Sequence, residues 1–301
     1  MRVKVLGSAA GGGFPQWNCG CPNCDRARRG LSGFRPRTQA QVAVSPSPGT
    51  WILLNASPDL RTQLLLDPDF APALKTRATP VTTIFLLSAD VDSVMGLLHL
   101  REFQPLRVFA TPSVLRVVTE ENSLFRCLER SAPPVQWEPL PLNRSVSVGG
   151  LACKAIPLGG AYPDYVSASL RNRLAKDEAV IGLECAENEK KFFYAPSISG
   201  ENDGWKCAAA SADLALLDGT FWTDRELIDV RGGGKTARGI GHIPLSGADG
   251  MLAQLHAAPK GRRVLIHLNN TNPVLDESSD AHRAVREAGW EVAHDGMEFE
   301  L

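Results

Sequence analysis

The stretch Ile84-Phe-Leu-Leu-Ser-Ala-Asp-Val-Asp-Ser-Val-Met-Gly-Leu-Leu-His-Leu-Arg-Glu-Phe103 decides how the chain folds. Val81 to Leu87 is an apolar run of the length of an interior strand. Val94, Leu97, Leu98 and Phe103 then recur at helical spacing, so the segment predicts a strand over 81–87 running into a helix over 93–103. Ser88, Asp90, Asp92 and Ser93 fall at the join, where open α/β sheets place their ligand sites. Taken alone, a helix start with Asp92 or Ser93 as N-cap accounts for these residues.

The same alternation extends in both directions. Towards the N-terminus, Val3 to Leu6 is a short strand that enters Gly7-Ser-Ala-Ala-Gly-Gly-Gly13. That run lacks the Lys-Ser/Thr of a phosphate-binding loop and is followed by Phe14-Pro15, so it reads as a loop with unusual backbone angles. Residues 41–45 and 51–55 form a hairpin around Pro46-Ser-Pro-Gly49, and a short helix follows Asn55-Ala-Ser-Pro-Asp59. Towards the C-terminus come a strand at 107–110, a helix from Pro112, and a loop-rich middle marked by Pro133-Pro134 and Pro139/Pro141. Strands at 151–156, 179–185 and 191–195 begin a second half. Strand 212–217 ends in Asp218-Gly-Thr-Phe, strand 263–267 ends in His267-Leu-Asn-Asn-Thr-Asn-Pro273, and a helix at 278–288 and a strand at 290–293 complete it. Two halves that each open with hairpins and close with βα units predict an α/β architecture of two sheets face to face with helices outside.

The 301 residues are 44% hydrophobic and 22% charged, enough to bury a large core in one large domain or two smaller ones. A formal net charge of -1 carries no electrostatic footprint for nucleic acid or an anionic membrane, which points to a small or neutral partner. The N-terminus has no apolar signal core and no run approaches the roughly 18–20 apolar residues of a membrane span, so a cytoplasmic site of action is expected.

Seven cysteines are an odd number, and three are crowded into Cys19-Gly-Cys-Pro-Asn-Cys24. Three thiolates on a Gly/Pro-rich turn can wrap a tetrahedral zinc ion, leaving one ligand to come from elsewhere. A redox role for Cys21-x-x-Cys24 lacks the following helix of a thioredoxin-like unit. Cys127, Cys153, Cys185 and Cys207 read as packing residues. His267, Asp218 and Asp92 all lie at strand ends, and together they could hold a divalent metal. On spacing alone His267 equally suits a hydrogen-bonded structural role and Asp218 a turn cap. His242, in Gly239-Ile-Gly-His-Ile-Pro244, is the second candidate histidine, whereas His99, His256, His282 and His294 read as surface residues.

Long motifs then reach a family. Gly7-Ser-Ala-Ala-Gly-Gly-Gly-Phe-Pro-Gln-Trp-Asn-Cys-Gly-Cys-Pro-Asn-Cys24, Arg35-Pro-Arg-Thr-Gln39, Asn55-Ala-Ser-Pro-Asp59, Leu217-Asp-Gly-Thr-Phe221, Gly241-His-Ile-Pro244, His267-Leu-Asn-Asn-Thr-Asn-Pro-Val-Leu275 and Asp295-Gly-Met297 resemble the PqqB family of pyrroloquinoline quinone (PQQ) biosynthesis, end to end. The resemblance implies the metallo-β-lactamase αβ/βα sandwich as a single domain over 1–301, and a structural Zn2+ at Cys19, Cys21 and Cys24 in a loop near 19–24. The fourth zinc position falls on Asn270, where related phosphodiesterases carry histidine. It also implies Fe2+ in the cleft and hydroxylation of a tyrosine ring in a peptide-derived PQQ precursor; an older proposal is a carrier of the quinone or its precursor.

The superfamily's His-x-His-x-Asp-His falls on Ser88, Asp90, Asp92 and Ser93, so every histidine of the motif is replaced. Asp92 and His267 remain as matched ligands, Asp218 joins them as a candidate, and Asp90 is an extra oxygen donor. Ser93 stands where the family generally keeps a histidine. Arg35, Arg37, His242, Asn269 and Asn272, inside the quoted motifs, are the expected substrate contacts. The expected partner is a small-molecule or dipeptide-like precursor, with a homodimer admitted. A metal-dependent hydrolase ranks lowest, because no His-x-His pair is present to build a two-metal site.

Overall fold

The computed structural model describes residues 1–102, 104–130, 134–200, 203–255 and 261–301. Phe103, Pro133 and His256, each named above, lie outside the described residues. The first half supplies β1 (Arg2–Gly7), β2 (Gln41–Ser47), β3 (Thr50–Leu54), β4 (Val81–Phe85), β5 (Arg107–Ala110) and β6 (Gln136–Pro139). The second supplies β7 (Ser145–Val148), β8 (Leu151–Pro157), β9 (Ile181–Glu187), β10 (Lys190–Ala195), β11 (Leu214–Asp218), β12 (Arg262–Ile266) and β13 (Glu291–Val292). A last strand, β14 (Glu298–Glu300), returns to pair with β1.

Two seven-stranded sheets result, in the orders β14-β1-β2-β3-β4-β5-β6 and β13-β12-β11-β10-β9-β8-β7. Each is mixed. The β1-β2-β3 and β7-β8-β9-β10 ladders are antiparallel, and β3 to β6 and β10 to β13 are parallel. Alternate side chains settle the packing. Val42, Val44, Ile52 and Leu54 meet Leu183, Tyr194, Leu216 and Val264 in one apolar layer between the sheets. Their sequence neighbours Ala43, Trp51, Leu53, Ala215 and Leu217 face outward to the helices. With both faces covered, these strands read as unbroken apolar runs rather than alternating ones.

The segment 81–103 departs from its prediction in two ways. The sheet ladder of β4 ends at Phe85, although the chain stays extended: Leu86 N–H still donates to Phe109 O at 2.8 Å, and Leu87 O accepts from Ile181 N–H at 2.9 Å, across to the other sheet. The helix after it is one α-turn, Val91–Val94, followed by a 3₁₀ stretch, Met95–Leu100. Gly96 N–H donates to Ala56 O at 2.8 Å, which takes it out of the helical ladder, and the approach is so close that a Cβ at Gly96 would lie 2.2 Å from the Ser57 carbonyl oxygen. The loop-rich middle contains β6 and β7, and β2 includes Pro46 and Ser47, which tightens the predicted hairpin loop to Pro48-Gly49. Cys153 and Cys185 are buried as expected; Cys207 is exposed. Among the described residues no helix is long and apolar enough to cross a membrane.

Candidate metal centre

The ends of β4, β11 and β12 converge on one cleft. Asn55, in the left-handed region at φ 69, accepts the Leu87 N–H on its side-chain oxygen at 2.8 Å and fixes the turn that carries Asp90 and Asp92. His267 follows β12 with φ 61, a backbone region that non-glycine residues enter only when their surroundings hold them there. The clamp is the glycine-rich segment: Leu268 N–H donates to Ser8 O at 3.0 Å and Ala10 N–H to Leu268 O at 2.9 Å. The loop 7–13 therefore stitches the N-terminal strand to the His267 turn and is no phosphate cradle. Gly7 is required there, since a Cβ would fall 2.1 Å from the Gln39 carbonyl oxygen.

His267 Nε2 lies 3.2 Å from Asp92 Oδ2, and His242 Nδ1 donates to Asp218 Oδ2 at 2.8 Å. The two imidazoles stack with centroids 5.4 Å apart, and Asp218, His242 and His267 bring ligand atoms within 4.8 Å of one another. Burial works to raise the Asp92 pKa, but the hydrogen bond and charge of His267 outweigh it and hold the carboxyl below its ordinary range. Burial likewise acts to lower the His267 pKa, and Asp92 reverses it to a net rise. Asp218 is held low because His242 more than offsets its burial. Asp90 is pushed up to about 6 by burial and by the Asp92 charge. Ser88 Oγ donates to Asp90 Oδ2 at 2.9 Å and lies 2.9 Å from Ser93 Oγ, so hydroxyls and one carboxylate occupy the positions that match the superfamily's histidines.

A cavity of about 850 Å³ opens over this cluster, lined by Ser88, Asp90, Asp92, Ser93, His242 and His267 among others, with Lys176, Lys235 and Arg238 farther along its wall. The structure thus brings Asp90, Asp92, Ser93, His242 and His267 together on one surface. Asp218 stands behind it. Fully buried, its Oδ1 accepts from Thr220 N–H and Oγ1–H, and its Oδ2 accepts from Ile198 N–H and His242, so its hydrogen bonds run to the imidazole and the backbone and it does not line the cavity.

The other expected substrate contacts are engaged elsewhere, and none lines the cavity. Arg35 pairs with Glu277 at 2.8 Å on the surface. Arg37 is buried, away from the cavity, and donates to Ser8 Oγ and the Ala293 carbonyl. Asn269 Nδ2 donates to Thr271 Oγ1 at 2.5 Å, and buried Asn272 donates to Gly219 O at 2.8 Å while accepting from Val274 N–H. These amides shape the loop after His267. Thr220, in contact with both imidazoles, is the residue that single-residue reading passed over, although it lay inside the Asp218-Gly-Thr220 motif.

Three residues beyond His267 the same loop reaches a second cluster. The Cys19, Cys21 and Cys24 sulfurs gather around the Asn270 side chain, whose Nδ2 lies 3.1, 3.6 and 3.4 Å from them in that order. Burial raises the Cys24 thiol to about 11; at Cys19 burial acts the same way but donors from Cys21 and its neighbours outweigh it and lower the thiol. Asn23 Nδ2 donates to the carbonyls of Asn270 and Asn272 at 3.3 and 3.0 Å and closes the loop over the thiols. Three soft sulfurs in a closed pocket fit a structural zinc ion, whereas imidazole and carboxylate donors on an open cavity fit a first-row metal with free positions.

A family model described as the β-lactamase superfamily domain matches residues 50–268. The coenzyme PQQ synthesis protein B of Methylobacterium nodulans is 41% identical over 302 residues, spanning 100% of both chains. That of Azotobacter vinelandii is 41% identical over 306 residues, again across 100% of both. The crystal structure of Zn(2+)-bound PqqB from Methylobacterium extorquens superposes with a TM-score of 0.93 at 40% identity over 100% of each chain. A diphosphatase of the PhnP family, at TM-score 0.66 and 17% identity over 100% of this chain and 97% of its own, shares the fold.

Proposed function

The chain belongs to the coenzyme PQQ synthesis protein B family of the β-lactamase superfamily, and from that membership we propose that it serves PQQ biosynthesis as an iron-dependent hydroxylase of a tyrosine ring in a peptide-derived precursor. The observation that carries the reading is the donor set on the cavity wall: His267, His242 and Asp92 bring two imidazoles and one carboxylate to one face, the set used by non-haem Fe(II) sites with open positions. On the other side of the cleft Ser88 and Ser93 bring hydroxyls where a second ion would need imidazoles, which argues for a one-metal centre and against a two-metal hydrolase. Ferrous iron supplies the dioxygen chemistry that no side chain offers.

The chain's own groups bind and orient. A cavity of about 850 Å³ is large enough for a dipeptide-sized precursor. Asp90, hydrogen-bonded by Ser88, faces it as an acceptor for a substrate hydroxyl, and the walls hold the ring at the reacting position, where orientation alone is worth several kcal/mol, on the order of 7–11 at most. At the second cluster zinc would be held by Cys19, Cys21 and Cys24, with Asn270 as the fourth donor through its amide oxygen. That requires the amide reversed about its last torsion, since its nitrogen already lies 3.1–3.6 Å from all three sulfurs, near the ligand-to-ligand spacing of a tetrahedral site.

The test uses full-length protein purified without oxygen, loaded with Fe(II) and given a tyrosine-containing dipeptide. Oxygen consumption matched by a product one oxygen atom heavier is the expected result. Full iron occupancy with no product would overturn hydroxylation and leave the carrier reading.

A further inference from the structure

Thr220 is 3% exposed, and its single hydroxyl touches three groups at once: Asp218 Oδ1 at 2.6 Å, His267 Nδ1 at 2.9 Å and His242 Nδ1 at 3.1 Å. A hydroxyl has one proton to give and lone pairs with which to accept. Asp218 is ionised and can only accept, and its contact is the shortest of the three, so the Thr220 proton goes to Asp218 Oδ1. The lone pairs of Oγ1 then face both imidazoles. His267 Nδ1 has to be the donor in its contact, because an unprotonated nitrogen would meet another acceptor. His242 Nδ1 carries a proton for the same reason, reinforced by Asp218 Oδ2 at 2.8 Å.

We propose that Thr220 is a positioning residue that holds Nδ1 of both histidines protonated, so that Nε2 is the nitrogen each imidazole has for a metal in the cleft; at His267 the metal would replace the Nε2 proton that is shared with Asp92 Oδ2 at 3.2 Å. The inference rests on the metal-centre reading above only for what those Nε2 atoms bind; the Nδ1 protons themselves are independent of which metal enters or which reaction follows. The two imidazoles depend on Thr220 unequally. Among the described residues His267 Nδ1 has Thr220 as its one recorded partner, whereas His242 Nδ1 has Asp218 as well. The backbone of Thr220 is a separate anchor, since its carbonyl accepts from Asn269 N–H at 3.1 Å and Asn272 Nδ2 at 3.3 Å, so a side-chain substitution leaves that loop attachment in place.

The experiment is nitrogen-15 NMR on histidine-labelled full-length protein whose cysteine cluster is already filled, with Zn2+ titrated as the cleft probe. In the wild type both His242 and His267 show a proton attached to Nδ1, before and after the probe is added. Thr220→Val, which keeps the shape and removes the hydroxyl, abolishes the protected Nδ1 proton of His267, preserves that of His242, and weakens cleft zinc about 10- to 100-fold. Thr220→Ser restores both signals and brings affinity back to within about threefold of the wild type. A wild-type His267 protonated only at Nε2 overturns the proposal without any variant, as does a folded Thr220→Val protein with wild-type signals and affinity. Failure of hydroxylation with these signals intact contradicts the functional reading and leaves the role of Thr220 standing.

Discussion

The thiol cluster and the cleft are two candidate metal sites fed by one loop, and they are built in opposite ways. Cys19, Cys21 and Cys24 come from six residues of chain and gather around Asn270, with soft ligands and Cys24 buried. The cleft set comes from turns about 175 residues apart in sequence, Asp92 and His267, joined by His242 and opened to a large cavity. His267 and Asn270, three residues apart, belong one to each. On the reading proposed above, the first site would serve stability and the second exchange, and the loop 267–272 reaches both without sharing a ligand.

Breaking the closed site has the largest expected effect. Cys24→Ser removes a buried thiol, so zinc content falls below one ion per chain and stability drops on the order of 3 kcal/mol, read as a Tm lower by roughly 5 °C. Metal analysis and a thermal melt check both. His267→Asn sharpens the contrast from the other side. Asparagine tolerates the positive φ, so the fold and the cysteine-bound zinc persist, while cleft-metal affinity falls by about 100-fold or more in a competition titration.

A smaller gain is expected from Ser93→His, which returns an imidazole to the wall of the cleft and raises iron affinity by about tenfold. Unchanged affinity would mean that Ser93 is no lost ligand position. The smallest effect concerns Glu226, which holds Thr271 in the shared loop through a 2.6 Å hydrogen bond and is pushed up to about 7 by burial. Its folded pKa lies above its unfolded one, so the stability it contributes is complete at low pH and is lost as pH rises through about 7. Between pH 6 and 8 the wild type should lose about 1 kcal/mol from this group, and Glu226→Gln should flatten that slope in denaturant titrations.

How much of this could be read in the chain follows from the same contrast. The thiol cluster was legible because its ligands are neighbours in sequence, and the sheets because strands buried on both faces become unbroken apolar runs. β6 and β14 were not, because Gln136–Pro139 and Glu298–Glu300 are short and mostly polar edge strands whose pairing, not composition, makes them strands. At the cleft, Asp92 and His267 stood at strand ends. The partnership of His242 with Asp218 and Thr220 depends on a long loop folding back, which no spacing encodes. Arg35 and Arg37 misled for a physical reason: a charge in a motif looks ligand-facing, yet one meets Glu277 and the other a carbonyl and a hydroxyl inside the fold.

The claim that the two sites hold different metals is tested most directly by anomalous diffraction from crystals of the iron-loaded, zinc-containing protein, recorded on both sides of the iron edge and the zinc edge. An iron peak within ligand distance of Asp92, His242 and His267, and a zinc peak among Cys19, Cys21 and Cys24, is the expected result. Zinc in both positions, or iron bound away from His267, would contradict it.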